Sequence, residues 1–200
     1  LENTRLDPRE TANDPELAEA LAKLADVYVS DAFGAVHRAH ASTEGVTKFF
    51  DQNAAGFLVE AEIDYFDKIL RNPERPLTAI LGGAKVSDKI TVIDNLLELV
   101  DTLIIGGGMA YTFMKAQGHE IGNSLLDELG IETAKAVIAK AAQKGVQLLL
   151  PVDNIVADDF SVDGNIKIAA LGEIQPGWEG LDIGPKTIEL FSEALSKTKT

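Results

Sequence analysis

Residues 77–90 read LTAILGGAKVSDKI: an apolar run stops at two glycines, Gly82 and Gly83, and two lysines, Lys85 and Lys89, follow four positions apart. Paired glycines at a strand end let the backbone approach a ligand closely, and the N-terminus of a following helix offers unpaired N–H groups to an anion. A helix beginning near Ala84 would set Lys85 and Lys89 one turn apart on one face. That combination describes a phosphate seat. The plainer reading also stands, since glycine turns after strands are common and lysines on helices often face solvent. A second glycine turn, Gly106 to Gly108, closes the apolar TLII and would stand at a nearby strand end, giving two glycine walls suited to a flat or phosphorylated ligand. Neither a P-loop GxxxxGK[ST] nor a dinucleotide GxGxxG is present.

The stretch DAFGAVHRAHAST sets Arg38 between His37 and His40 in a loop of small residues. An arginine so placed suits bidentate contact with a carboxylate or phosphate. Arg5, closing LENTR, is a second candidate, with ordinary surface charge as its alternative. Histidines at i and i+3 can chelate a metal, but no third ligand is evident nearby, and loop hydrogen bonding is the competing reading.

The elements that must hold these residues are visible in the hydrophobic pattern. Asp14 and Pro15 read as N-cap and first position of a helix carrying Leu17, Leu21 and Leu24. DVYVSDAF is a short β-rich run. From Ala54 to Leu70 the apolar Val59, Ile63, Phe66 and Leu70 form one helical stripe, which ends before the two prolines of NPERP. Beyond this boundary the strands LTAIL, TLII and VQLLL alternate with helices carrying Ile90, Ile93, Leu97 and Val100, then Met109 to Ala116, then Ala134, Val137, Ile138 and Ala141. Short, continuously apolar strands separated by helices predict a parallel sheet covered on both faces, with ligands outside the strands' carboxyl ends.

Composition narrows the function classes. Two hundred residues, 46% of them apolar, can bury a core. No cysteine is present, which removes disulfides and thiolate chemistry and fits a reducing compartment, the cytoplasm by default. The net charge of −14 argues against a broad nucleic-acid or membrane surface, but not against a small anion, because a local cation cluster decides that. No apolar run reaches the length of a membrane span. Without an initiator Met, the sequence is expected to be part of a longer chain.

Together LENTRL, DVYVSDAFGAVHRAHAST, AGFLVEAEIDYF, NPERPLTAILGGAKVSDKITVIDNLLELVDTLIIGGGMAYTFMKAQG, LLLPVDNIVADDFS and PGWEGLDIGPKTIELF closely resemble the phosphoglycerate kinase family, in order across practically the whole chain. The resemblance implies an α/β, two-domain parallel-sheet (Rossmann-like) kinase fold of three α/β/α layers, incomplete here. It assigns residues 1–53 to the last part of a 3-phosphoglycerate-binding domain, 54–76 to an interdomain helix and linker, and 77–200 to the first part of a nucleotide-binding domain. It implies reversible phosphoryl transfer between 1,3-bisphosphoglycerate and ADP, with Mg2+ accompanying the nucleotide, no resident metal, and a monomer. Arg5 and Arg38 match the arginines that hold the glycerate phosphate. Lys89 matches the lysine on the nucleotide phosphates, taken as the catalytic cation, and Lys85 is its neighbour. Gly83, Ala84 and Gly108 fall on the nucleotide turns, and Gly180 and Leu181 border the adenine. The family's earlier glycerate-binding part and later nucleotide-domain segments have no counterpart in the sequence, so a non-catalytic nucleotide-binding fragment is the alternative. Thr4, Ser30 and Asn123 depart from the usual family residues, Asn123 standing where many bacterial members carry Lys.

Overall fold

The computed structural model describes residues 2–200. The chain divides into two compact units, Leu1–Asn72 and Pro73–Thr200.

In the first unit a short helix α1 (Pro8–Thr11) precedes α2 (Pro15–Ala22), then strands β1 (Tyr28–Ser30) and β2 (Asn53–Ala55) and helix α3 (Phe57–Arg71). The Asp14 carboxylate accepts the N–H groups of Glu16 and Leu17, both at 3.0 Å, and Pro15 opens α2, as the sequence predicts. The buried face of α2 differs from the leucine stripe. Ala18 and Ala22 are buried and Leu24 is exposed, because the turn Gly45–Phe49 comes so near that a Cβ at Gly45 would lie 3.2 Å from the Ala18 methyl. Only small side chains fit at that approach, and Leu17 and Leu21 line an open cleft beside Leu6 and Pro8 instead.

Helix α3 begins at Phe57 rather than Ala54, because Asn53–Ala55 are paired in parallel with β1. Its N-terminus is capped from a distance: Asp31 accepts the N–H groups of Leu58 and Val59 at 2.8 and 3.1 Å. The apolar stripe exists but is little covered. Val59 is buried, while Ile63, Phe66 and Leu70 are exposed, Phe66 stacking on Phe33 with ring centroids 5.9 Å apart.

The second unit contains the alternation read from sequence. Strands β3 (Thr78–Leu81), β4 (Thr102–Ile105) and β5 (Gln147–Leu149) form a parallel sheet in that order, with α4 (Ile90–Leu99), α5 (Met109–Ala116) and α6 (Ile131–Lys144) in the crossovers. All four residues of β4 are buried, as a central strand covered on both faces requires. The edge strands are less enclosed; Ile80 of β3 is exposed. An antiparallel sheet follows, β6 (Asp153–Ala157) between β7 (Ile166–Ala170) and β8 (Glu179–Ile183), which the sequence reading does not anticipate. Helix α7 (Pro185–Ser196) returns to the parallel sheet, where Phe191 packs on Ile104 and Leu149.

Asp153 fastens α7. Its carboxylate accepts the N–H groups of Lys186 and Thr187 at 3.0 and 2.8 Å and the Thr187 hydroxyl at 2.6 Å. Burial pushes the carboxyl up, but the bonds from Thr187 and Lys186 outweigh it and hold it below the ordinary aspartate value. Replacing Asp153 with Ala would leave these donors unmet in a buried place and should cost about 3 kcal/mol in chemical denaturation. Because the folded-state value is depressed, this contribution is present at neutral pH. It starts to disappear as pH falls to the unfolded value of 3.8 and is gone below the folded one, so the acid-unfolding curve of Asp153→Ala should lack that share.

Candidate active site

The two glycine turns meet at the carboxyl ends of β3 and β4. Gly106 donates its N–H to Leu81 at 2.9 Å, continuing the ladder past the strand, and Met109, first residue of α5, donates to the Gly83 carbonyl at 2.7 Å. Such contact is open only to residues lacking a side chain. Gly83 has φ +149° and Gly107 φ +64°, and a Cβ on Gly107 would lie 3.2 Å from the Gly83 nitrogen.

Lys89 lies across this joint: a Cβ on Gly83 would stand 2.8 Å from Lys89 Cε. Among the described residues neither Lys85 nor Lys89 makes a side-chain hydrogen bond or an ion pair. The expected helix start near Ala84 is not what forms. Residues 84–86 are irregular, Ser87–Lys89 make a 3-10 turn, and α4 begins at Ile90, so Lys85 and Lys89 are not one α-helical turn apart. Two contacts account for this. Val86 is fully buried beneath the turn, and the Asp127 carboxylate takes both the N–H and the hydroxyl of Ser87, at 2.9 and 2.8 Å. One N–H that might have met an anion is thereby already used.

Gly108 sits under Leu125, whose Cδ2 would be 2.6 Å from a Cβ there. Leu125 is half exposed and lies in an irregular segment, where no periodicity marks it from sequence. Gly180, in β8, has its own steric reason: a Cβ would collide with the Tyr111 ring and hydroxyl. Burial, with the Asp182 carboxylate nearby, pushes the Tyr111 phenol up to about 12. Leu181 joins Gly107, Ala110 and Tyr111 around a small cleft, which brings β8 to the second glycine turn. Asn123 is engaged structurally, accepting the Gly177 N–H at 3.2 Å.

In the first unit, exposed Arg5 occupies the 3-10 turn Thr4–Leu6 and half-buried Arg38 the loop after β1. Neither guanidinium has a hydrogen-bond or ion-pair partner among the described residues. The Arg38 loop is shaped by its backbone: Thr43 Oγ1 donates to the Arg38 carbonyl at 2.6 Å, and the loop rests on Glu10. That buried carboxylate accepts the Ser42 N–H at 3.0 Å and hydroxyl at 2.5 Å, and His40 Nδ1 lies 3.8 Å away. Loop hydrogen bonding is thus what the His40 segment displays; His37 is exposed, and no group of three or more metal-ligating side chains occurs among the described residues. Glu10 has no sequence signal beyond a surface-like acidic residue.

A parallel sheet with glycine turns at its carboxyl ends, flanked by helices, is a Rossmann-like α/β fold. The phosphoglycerate kinase family model matches residues 1–200, and the chain belongs to that family. It is 57% identical over 200 residues to phosphoglycerate kinase of Roseiflexus castenholzii, covering all of this chain and 50% of that protein. It is 56% identical to chloroplastic phosphoglycerate kinase 1 of Arabidopsis thaliana, covering 42% of that protein. The structure of phosphoglycerate kinase from Coxiella burnetii superposes with TM-score 0.85 at 41% identity, covering 99% of this chain and 51% of the other. That from Pyrococcus horikoshii gives 0.79 at 27% identity, covering 98% and 51%. The chain spans about half the length of the relatives it matches.

The Gly180 contact yields a direct test of the cleft. Gly180→Ala forces a methyl into the Tyr111 ring and should destabilise the protein by about 1–3 kcal/mol, seen as a lowered thermal midpoint. An unchanged midpoint would mean that β8 can move away from α5.

Proposed function

We propose that this chain carries the nucleotide-phosphate seat and part of the glycerate site of a phosphoglycerate kinase, a monomer transferring a phosphoryl group between 1,3-bisphosphoglycerate and ADP. The observation that carries this reading is that the Lys89 side chain, without a hydrogen-bond or ion-pair partner among the described residues, lies against Gly83 where the two glycine turns join. Phosphoryl transfer asks chiefly for positioning and charge neutralisation, and an ammonium beside closely approachable backbone can contribute to both. In this reading Lys89 is the catalytic cation and Lys85 adds charge beside it. Gly83, Ala84 and Gly108 form the walls against which the nucleotide lies, with Gly180 and Leu181 toward the base. Arg5 and Arg38, their guanidinium groups uncommitted, hold the glycerate phosphate. Magnesium enters with the nucleotide as substrate; an ion carried on phosphates needs only one or two protein carboxylates, which does not call for a preassembled acidic cluster. The absence of cysteine fits a reducing compartment such as the cytoplasm, and among the described residues no helix is long and apolar enough to cross a membrane.

Lys89→Ala in the intact protein should lower turnover by about 10²-fold, the scale of losing one preorganised charge donor, with little change in stability. Steady-state kinetics with unaltered turnover and nucleotide KM would remove Lys89 from the site, and nucleotide binding without any turnover in the unsubstituted protein would favour the non-catalytic alternative. Arg38→Ala should weaken 3-phosphoglycerate by about 1.5–3 kcal/mol and leave the nucleotide nearly untouched. Calorimetric titration of each ligand separates the two; equal losses would make Arg38 a structural residue.

A further inference from the structure

The turn bearing Lys89 has no cap within its own sequence. No side chain from its preceding residues bonds it, Gly83 before it is in a strained region for any other residue, and Lys85 is exposed. What holds it comes from 40 positions further along the chain. Asp127 Oδ2 accepts the Ser87 N–H at 2.9 Å and the Ser87 hydroxyl at 2.8 Å, while Oδ1 accepts the Gly130 N–H at 3.2 Å. The Asp127 N–H in turn donates to Thr112 Oγ1 at 3.1 Å. Thr112 is fully buried in α5, the helix whose first residue, Met109, donates to Gly83.

These bonds close a ring. It runs from Gly83 through Met109 and the first turn of α5 to Thr112, on to Asp127, across to Ser87, and back along the chain past Lys85 to Gly83. We propose that Asp127 is the positioning residue of the nucleotide-phosphate site, fixing Lys89 relative to both glycine turns without itself touching the ligand. The inference rests on the proposed function above and adds to it a residue outside the two glycine turns and the lysines.

The residue type is demanded by the chemistry. An ionised carboxylate is acceptor-only, and here three donors from two directions meet it in a place only 8% exposed. The backbone N–H of Ser87, followed by its hydroxyl, holds the Asp127 carboxyl below the ordinary aspartate range, as bonding to the charged form must. An amide of the same shape has one carbonyl and one NH2. Turned one way, its NH2 would face the two Ser87 donors and open the ring; turned the other, it would face the Gly130 N–H and leave that buried donor unmet, so Asp127→Asn must give up part of what the carboxylate holds.

The test uses the intact protein with Asp127→Asn, Ser87→Ala, the double variant, and Lys89→Ala as control, measuring kcat and KM for each substrate and the thermal midpoint. Asp127→Asn should lower nucleotide kcat/KM about tenfold and Ser87→Ala about threefold, the 3-phosphoglycerate KM staying within about twofold. The double variant should be no worse than Asp127→Asn, because both act through one contact. Additive losses, or a lowered thermal midpoint with nucleotide kcat/KM unchanged, would overturn the assignment. Should Asp127→Asn not fold, Ser87→Ala decides: a threefold loss at an unchanged midpoint supports the ring, and unchanged kinetics overturns it. A silent Asp127→Asn beside a crippled Lys89→Ala removes Asp127 alone, whereas a silent Lys89→Ala brings down the site reading and this inference with it.

Discussion

The hydrogen bond from Met109 N–H to the Gly83 carbonyl, 2.7 Å long, is the contact on which the site depends. It ties the turn after β3 to the first residue of the helix after β4, at the carboxyl edge where an open α/β sheet receives its ligands. Backbone can meet backbone there only because Gly83 and Gly107 carry no side chains, and the Gly106 bond to Leu81 fixes the register in which they meet. Lys89 reaches Gly83 from the 3-10 turn that follows, so its position joins the sheet edge to the turn's own anchorage. A cation placed by a sheet edge loses less entropy on engaging a phosphate than one on a free surface helix.

The charge distribution bears on how a chain of net charge −14 could present the proposed cationic site. On α4, Asp94 pairs with Lys140 at 2.8 Å, and Glu98 pairs with Lys144 at 2.5 Å. Both acids thus face α6, where Lys140 and Lys144 are committed to them. Lys85 and Lys89 have no such partner among the described residues. Beyond about 8 Å of salt solution the distant acids are largely screened, so the charges that bear on the proposed site are the local ones, Lys85 and Lys89 with Asp88 and Asp127 beside them.

What could be read from sequence was what neighbours along the chain decide. The Asp14 cap, the three apolar strands of the parallel sheet and the two glycine turns all rest on short-range rules, and each is present. No helix starts near Ala84, because the carboxylate that holds the turn before α4, Asp127, lies 40 positions beyond the Ser87 it bonds. The start of α3 was misread because β2 pairs with a strand more than twenty residues earlier. The antiparallel sheet escaped notice for a different reason. Its outer strands do alternate apolar and charged residues over short stretches, but Ile166, Ile168 and Leu181 are exposed, so that alternation marks no buried face by which a half-buried strand is recognised.

Three of the contacts hidden from sequence are one device. Asp31 caps α3, Asp127 caps the turn before α4 and Asp153 caps α7, each reaching the N–H groups of a helix or turn start from a remote segment. Beside Asp31 and Asp153 stands the glycine that precedes the helix each caps, Gly56 and Gly184, where a Cβ would run into the acid, while Gly130 crowds Asp127 from the 3-10 turn that follows it. At the two helix starts the pairing follows from geometry, because a carboxylate close enough to bond first-turn N–H groups occupies the volume a side chain there would need. It also gives part of the chain's acidity a structural purpose. An aspartate at a helix N-terminus is favoured by the helix dipole as well as by its hydrogen bonds, so internal caps of this kind stabilise the fold while ionised.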